Sequence, residues 1–333
     1  MIPMIIDTDP GVDDAMAIAY ALSHPDIELL ALTTVFGNTH LEATTRNACW
    51  LLDQFGAASV DVARGAALPM AQGPLPHAEF VHGADGVGNA YPSEPVVLNP
   101  SARHARIQES SAAEYIVSAA RARPGEIALV AIGPLTNIAA ALALEPSLPS
   151  LVHSLVIMGG TLDEPGNVSP AAEANFFNDP HAGDSILAAD WPATLVGLDV
   201  THNIMIADSD LDRIGNAGTR SGQLIREISR FYVDFYTTRG AARALGTEPC
   251  CAMHDAAAVA CVVMPDAFDY VTGPARVVPD GMASGQLLLD RKGYAYATPW
   301  WEDRPATVVC TAVDSERVRA DFMTRLVSGE ILA

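Results

Sequence analysis

Positive charge is scarce in this sequence: 19 Lys and Arg stand against 40 Asp and Glu in 333 residues, a formal net charge of −21. A surface with that field repels nucleic acid and anionic membranes, and does not gather phosphorylated substrates. Cysteine is also sparse. Cys49, Cys250, Cys251, Cys261 and Cys310 include no C-x-x-C spacing for zinc or dithiol chemistry, so buried free thiols in a reducing compartment are expected. No apolar run approaches the roughly 18 residues of a membrane span. Met1 leads into Met4-Ile5-Ile6 without a basic leader. These absences predict an unsecreted, cytoplasmic protein with no nucleic-acid or membrane partner. What is abundant is core material: 50% of residues are hydrophobic and 18% charged, enough to bury a large interior and to exclude general disorder.

Short apolar runs alternate with helical patterns. Residues 4–6, 27–35, 127–132, 155–158 and 193–198 read as buried strands. Residues 13–23, 41–55 and 136–144 read as helices, the last capped by Thr136. Near-continuous apolar strands alternating with helices predict an α/β fold with a mainly parallel, doubly wound central sheet and helices on both faces. Ligands in such sheets sit outside the carboxyl ends of the strands, where each apolar run here meets Asp, Asn, Gly or Pro. Residues 64–106 break the pattern with Pro, Gly and His, including His82, and read as a lid loop. An amphipathic helix over 221–240 carries Tyr232 and Tyr236, which lie four apart on one face and reach either the core or a ligand. Residues 269–313 read as short strands and turns, with a closing helix over 314–327, Trp300-Trp301 as a packing element, and no domain boundary anywhere in 1–333.

Asp7-Thr8-Asp9-Pro10-Gly11-Val12-Asp13-Asp14 places four carboxylates within eight residues directly after a strand. Ionised neighbours raise one another's pKa values; a hard cation with six to eight oxygen ligands relieves the repulsion, and a helix starting near Asp13 favours anions at its N-terminus. An EF-hand fails on spacing, because Gly11 falls at the fifth position and Ile18 where the bidentate Glu belongs. Two alternatives stay open at this point. One is a phosphatase of the haloacid-dehalogenase type using Asp7 and Asp9, against which Gly11 and the missing basic phosphate clamp count. The other is a non-catalytic calcium- or ribose-binding module.

The same run resembles the N-terminal signature of the inosine-uridine-preferring nucleoside hydrolases. Thr33-Thr34-Val35-Phe36-Gly37-Asn38, Gly133-Pro134-Leu135-Thr136-Asn137, Met158-Gly159-Gly160, Gly166-Asn167-Val168, Glu173 with Asn175, and His254-Asp255 follow in the family's order. The resemblance implies a calcium-dependent hydrolase of the N-glycosidic bond of ribonucleosides, acting in nucleoside catabolism or salvage as a homodimer or homotetramer. It implies one Ca2+ per subunit, held by Asp9, Asp14, Asp255 and the carbonyl of Ile132, with the ribose 2′- and 3′-hydroxyls and a water completing the shell. Asp9 is then the general base toward that water, and Asp13 accepts from a ribose hydroxyl. Asn38, Met158, Asn167, Glu173 and Asn175 surround the sugar, including its 5′-hydroxyl. His254 becomes the acid toward the departing base, with a pKa expected near neutrality, and His82 a lid residue. Tyr232 and Tyr236, from their shared helix face, are candidate base contacts, with core packing the alternative. Ala174, where the family often has an aromatic, and the bulky Phe36 leave purine versus pyrimidine preference open.

Overall fold

A computed structural model describes residues 1–73, 75–92, 106–238, 248–329 and 331. Its strands are β1 (Ile2–Thr8), β2 (Ile27–Thr34), β3 (Asp61–Arg64), β4 (Ala128–Ala131), β5 (Ser154–Met158), β6 (Ala193–Val196), β7 (Met205–Ala207), β8 (Cys250–Ala252), β9 (Phe268–Val277), β10 (Leu287–Leu289) and β11 (Ala306–Val313). Among the described residues nine of them form one sheet in the order β10-β9-β11-β6-β5-β4-β1-β2-β3, while β7 and β8 make a separate antiparallel ribbon. From β3 to β11 every pairing is parallel; β9 then runs antiparallel to both β11 and β10. The expected mainly parallel, doubly wound α/β sheet is present, with the mixed edge supplied by the tail.

The chain winds outward from β1 through β2 to β3, then returns to β1's other side for β4, β5 and β6. The switch between β1 and β4 leaves a crevice at their carboxyl ends, the place where a doubly wound sheet binds ligands. Strand alternation sorts the core into two layers. Met4 and Ile6 of β1 pack beneath helices Val12–Ser23, Leu41–Phe55, Arg220–Thr238, Asp255–Val263 and Ser315–Ser328, while Ile5 faces helices Ala112–Ala122, Thr136–Leu144 and Pro180–Ile186.

Helices Val12–Ser23 and Asp255–Val263 pack against each other, and both are rich in buried alanine. Small side chains let their axes approach, which brings Asp255 beside Asp13 and Asp14 across 241 residues of chain.

The predicted helices 41–55 and 136–144 keep those bounds. The cap differs: Leu135 is the N-cap and makes no side-chain cap bond, while the Thr136 hydroxyl donates to Asp179 at 2.6 Å. The run predicted as strand 193–198 stops at Val196, because Leu198 opens a four-residue helix. In the expected lid, 93–105 lies outside the described residues; 79–82 form a helical turn. The end of the expected helix 221–240, at 239–240, also lies outside them; the described helix is Arg220–Thr238. All five cysteines are buried and free. Trp300 is 66% exposed in a turn beyond the sheet, so the packing role expected of it does not hold. No described helix is long and apolar enough to cross a membrane.

Candidate active site

β1 ends in Asp7-Thr8 and the chain turns through Pro10-Gly11 into the helix at Val12, so the four acids sit where strand and helix meet. Asp7, Asp9, Asp13 and Asp14 are all buried, as is Asp255. Asp14 is fixed by Thr8 Oγ1 on one oxygen, and by the Gly11 N–H at 2.8 Å and Asn38 Nδ2 at 3.1 Å on the other. Asp9 Oδ2 accepts the Asn38 N–H at 2.7 Å. That close approach requires two glycines: a Cβ on Gly37 would lie 2.0 Å from Asp9 Oδ2, and one on Gly133 would lie 2.6 Å from Asp9 Oδ1.

Asp9 Oδ1 and Asp13 Oδ1 are buried without a hydrogen-bond partner. Asp13, Asp14 and Asp255 each present an oxygen within 4.8 Å of the others. Partnerless buried carboxylate oxygens beside such a trio are the donor set a hard divalent cation takes, so the residues fit a metal. That trio contains Asp13, where the sequence pointed to Asp9 alongside Asp14 and Asp255. Burial is the main force raising the pKa values of all these acids, and mutual repulsion adds to it at Asp9, Asp14 and Asp255; Asp13 and Asp14 rise to about 6. The Ile132 carbonyl accepts the Asn175 amide at 2.9 Å, which also reaches the Met158 carbonyl at 3.0 Å and so ties β5 to the residue after β4.

Beside the acids opens a cavity of about 580 Å³, lined by every site residue of the nucleoside-hydrolase reading except Asp9 and Asp14, which lie outside its lining. Glu173 caps helix Ala174–Asn178 and accepts the N–H groups of Asn175, Phe176 and Gly160, while burial pushes its pKa up to about 7. Asn167 Oδ1 accepts the Ala174 N–H at 3.0 Å. Ala174 lines the cavity, and Phe36 does not.

The far wall is built from the long helix and the helical turn Glu79–His82. His82 is docked against the acids: its Nδ1 accepts the Val12 N–H at 3.2 Å, its ring stacks on Tyr232 at 5.6 Å, and burial lowers its pKa to about 4. The Tyr232 hydroxyl donates to Asp13 Oδ2 at 3.1 Å. His254 is held at both ring nitrogens, by Tyr236 Oη at 2.6 Å and Thr201 Oγ1 at 2.7 Å. Burial, then His202 and His82, push its pKa well below the ordinary value, away from the near-neutral value expected of it. Tyr232 and Tyr236 thus face the cavity while bonding its acid and its histidine.

Several neighbours were not singled out in the sequence. Thr201 and His202 follow β6, and a polar Thr-His pair at a strand's carboxyl end is the signal that marks them. Asn137 lies inside a quoted motif and donates to Asp7 Oδ1 at 2.8 Å and to the Thr34 carbonyl at 3.0 Å. Phe80, 58% exposed, meets Phe235 at 6.0 Å on the cavity wall with no local pattern to announce it.

The model of the family described as inosine-uridine preferring nucleoside hydrolase matches residues 4–320. Uridine nucleosidase 1 of Arabidopsis thaliana is 38% identical over 95% of this chain and 90% of its own length. The inosine-uridine preferring nucleoside hydrolase of Leishmania major is 36% identical over 86% of this chain and 87% of its own. Among solved structures, a plant nucleoside hydrolase superposes with a TM-score of 0.88 at 35% identity, covering 98% of this chain and 99% of that one. A match of this extent displaces the phosphatase reading, and the chain belongs to the inosine-uridine preferring nucleoside hydrolase family of ribonucleoside hydrolases.

Proposed function

We propose that this protein hydrolyses the N-glycosidic bond of ribonucleosides with a calcium ion held by Asp9, Asp14, Asp255 and the Ile132 carbonyl, and with Asp13 beside it toward the ribose. The observation that carries the reading is a pair of buried carboxylate oxygens without a hydrogen bond, Asp13 Oδ1 of a residue that lines a nucleoside-sized cavity and Asp9 Oδ1 of one outside that lining. A calcium ion held by these residues would orient the water and the ribose cis-diol and offset the carboxylate charge.

Asp9 acts as general base. Its Oδ2 is pinned by the Asn38 N–H, which leaves Oδ1 for the proton of the attacking water. Burial and the neighbouring acids raise its proton affinity, which suits a base that must take a proton near neutral pH. As the glycosidic bond breaks, positive charge grows on the sugar, and the ring of carboxylates stabilises that oxocarbenium-like state. Asn38, Met158, Asn167, Glu173 and Asn175 hold the sugar in register. At the other end His254 and Tyr236 form a hydrogen-bonded pair. His254 is the acid toward the departing base: its low proton affinity makes the imidazolium a strong donor, the Tyr236 hydroxyl at Nε2 orients the ring, and the neutral imidazole left after transfer is reprotonated from solvent.

Ala78, Phe80, Val81 and His82 line the cavity and would act as the described part of a lid, and residues 1–333 work as one catalytic unit, in a homodimer or homotetramer. Uridine is the first substrate to test, since one similar enzyme is a uridine nucleosidase and another, from Shewanella oneidensis, a pyrimidine-specific ribonucleoside hydrolase. The test is release of free ribose from a panel of purine and pyrimidine ribonucleosides, with and without a chelator. Ribose release that a chelator stops and added Ca2+ restores is the expected result. Phosphate release from phosphomonoesters without any nucleoside cleavage would overturn it.

A further inference from the structure

We infer that Asp199 is the positioning residue of the loop 161–168, and that it sets recognition of the sugar's 5′ end without touching substrate. Just past β6, Asp199 is the second residue of helix Leu198–Thr201 and lies in none of the family motifs quoted above. Its carboxylate Oδ2 accepts the Leu162 N–H at 2.7 Å, and its Oδ1 accepts the N–H groups of Asp163 at 2.7 Å and Glu164 at 3.1 Å. Thr161 Oγ1 lies 3.4 Å from Oδ2, and the Leu198 N–H donates to the Gly160 carbonyl at 3.0 Å. One buried carboxylate therefore gathers three successive backbone donors into a turn.

Beyond that turn come Glu164, Pro165, Gly166, Asn167 and Val168, all lining the cavity. The loop returns to the fold through the Val168 N–H on the Ala172 carbonyl and the Ala174 N–H on Asn167 Oδ1. None of residues 162–168 is buried, so apolar packing contributes little to its shape and polar anchors must fix it. Charge-assisted bonds to backbone N–H groups are the strong kind; Asp199 supplies three of them at this end, where Thr161 Oγ1 also donates to the Glu164 carbonyl at 2.7 Å and the exposed Arg291 pairs with Asp163 at 3.0 Å. Asn167 belongs to the polar ring assigned above to the sugar and its 5′-hydroxyl. Its distance from that hydroxyl is set by where the 162–164 turn is held.

The inference rests on the proposed nucleoside hydrolysis, so two measurements separate the claims. The first compares uridine with 5′-deoxyuridine, in the presence of Ca2+, for wild type, Asp199→Ala and Asp199→Asn. Loss of charge-assisted bonds predicts that Asp199→Ala lowers kcat/KM for uridine by about thirtyfold, chiefly through KM. The 5′-deoxy substrate has no hydroxyl to lose and should change by less than about threefold. Asp199→Asn, which keeps one acceptor oxygen, should fall between. Equal losses on the two substrates would reduce Asp199 to a structural residue and overturn the inference. The second measurement is hydrogen exchange at the amides of 162–164, expected to accelerate at least about tenfold in Asp199→Ala. Unchanged exchange would overturn the holding role even if the wild type cleaved no nucleoside, a result that by itself would sink only the catalytic reading.

Discussion

At the floor of the cavity, three of the four clustered acids, Asp9, Asp13 and Asp14, come from a single turn of six residues, and only Asp255 arrives from elsewhere. The far wall has no such economy. His82, Thr201, the helix pair Tyr232 and Tyr236, and His254 come from four separate elements and meet only through tertiary packing. The floor must crowd like charges at fixed spacing, which a strand-to-helix turn does locally. The wall must only offer polar atoms at the right depth, which many folds of the chain achieve. The floor should therefore fail sharply when altered, and the wall by degrees.

The largest expected effect is at the floor. Asp9→Ala should lower kcat by about a thousandfold or more, since a positioned general base contributes on the order of 10² to 10⁴ and this residue also loses a ligand. Circular dichroism should show the fold intact. Turnover within about tenfold of wild type would remove Asp9 from catalysis.

The same crowding predicts a pH effect on stability in chelator. Asp7, raised to about 7 by burial, and Asp13 and Asp14, raised to about 6, all prefer the proton in the folded state more than in the unfolded state. Groups shifted upward contribute stability that is fully present below about pH 4 and is lost as pH rises through about 6 to 7. For Asp7 alone that is on the order of 4 kcal/mol. The Tm of chelated protein should fall between about pH 4 and 7, and Ca2+ should flatten the fall by binding the ionised acids. A chelated protein whose Tm rises over that interval would contradict the buried-acid floor.

Between floor and wall sits the sugar. A 2′-deoxyribonucleoside lacks one of the hydroxyls offered to the cation, so its kcat/KM should be lower by about a hundredfold, roughly 3 kcal/mol for a lost charge-assisted contact. Equal rates on inosine and 2′-deoxyinosine would break the diol reading.

How far each region can be read without coordinates follows the same division. Asp7, Asp9, Asp13 and Asp14 are legible because their chemistry and their spacing sit in one stretch after an apolar strand. The α/β class is legible because strands such as 127–132 are short and apolar, and end in Gly or Asp. Thr201 and His202 are legible only as a polar pair shortly after β6, because nothing local says that both meet His254. The Thr136 cap misleads for a related reason. A Thr at a helix start satisfies the usual capping pattern, but Asp179, distant in sequence, offers its hydroxyl a carboxylate. Burial is equally invisible at His254, whose pKa is set by its depth and by His202 and His82.

At the wall the effects should be graded. His254→Ala should cost about ten- to a hundredfold with leaving groups that need protonation, and little with an activated one such as a nitrophenyl riboside. A uniform loss across leaving groups would reduce His254 to a packing residue.

The smallest effect is expected where wall and floor touch. Tyr232→Phe removes the hydroxyl that donates to Asp13 Oδ2 at 3.1 Å and keeps the ring that stacks on His82. Asp13 already has one oxygen without a hydrogen-bond partner, so the variant leaves its carboxylate still more dependent on the cation. The loss in kcat/KM should be only about three- to tenfold, near the net worth of one hydrogen bond to a charged group. It should appear mainly in the Ca2+ concentration needed for half-maximal activity, and shrink as Ca2+ saturates. A loss that persists unchanged at saturating Ca2+ would place the Tyr232 hydroxyl with the base-facing wall. The boundary between the two regions would then run between Tyr232 and Asp13, with the tyrosine acting on the nucleobase.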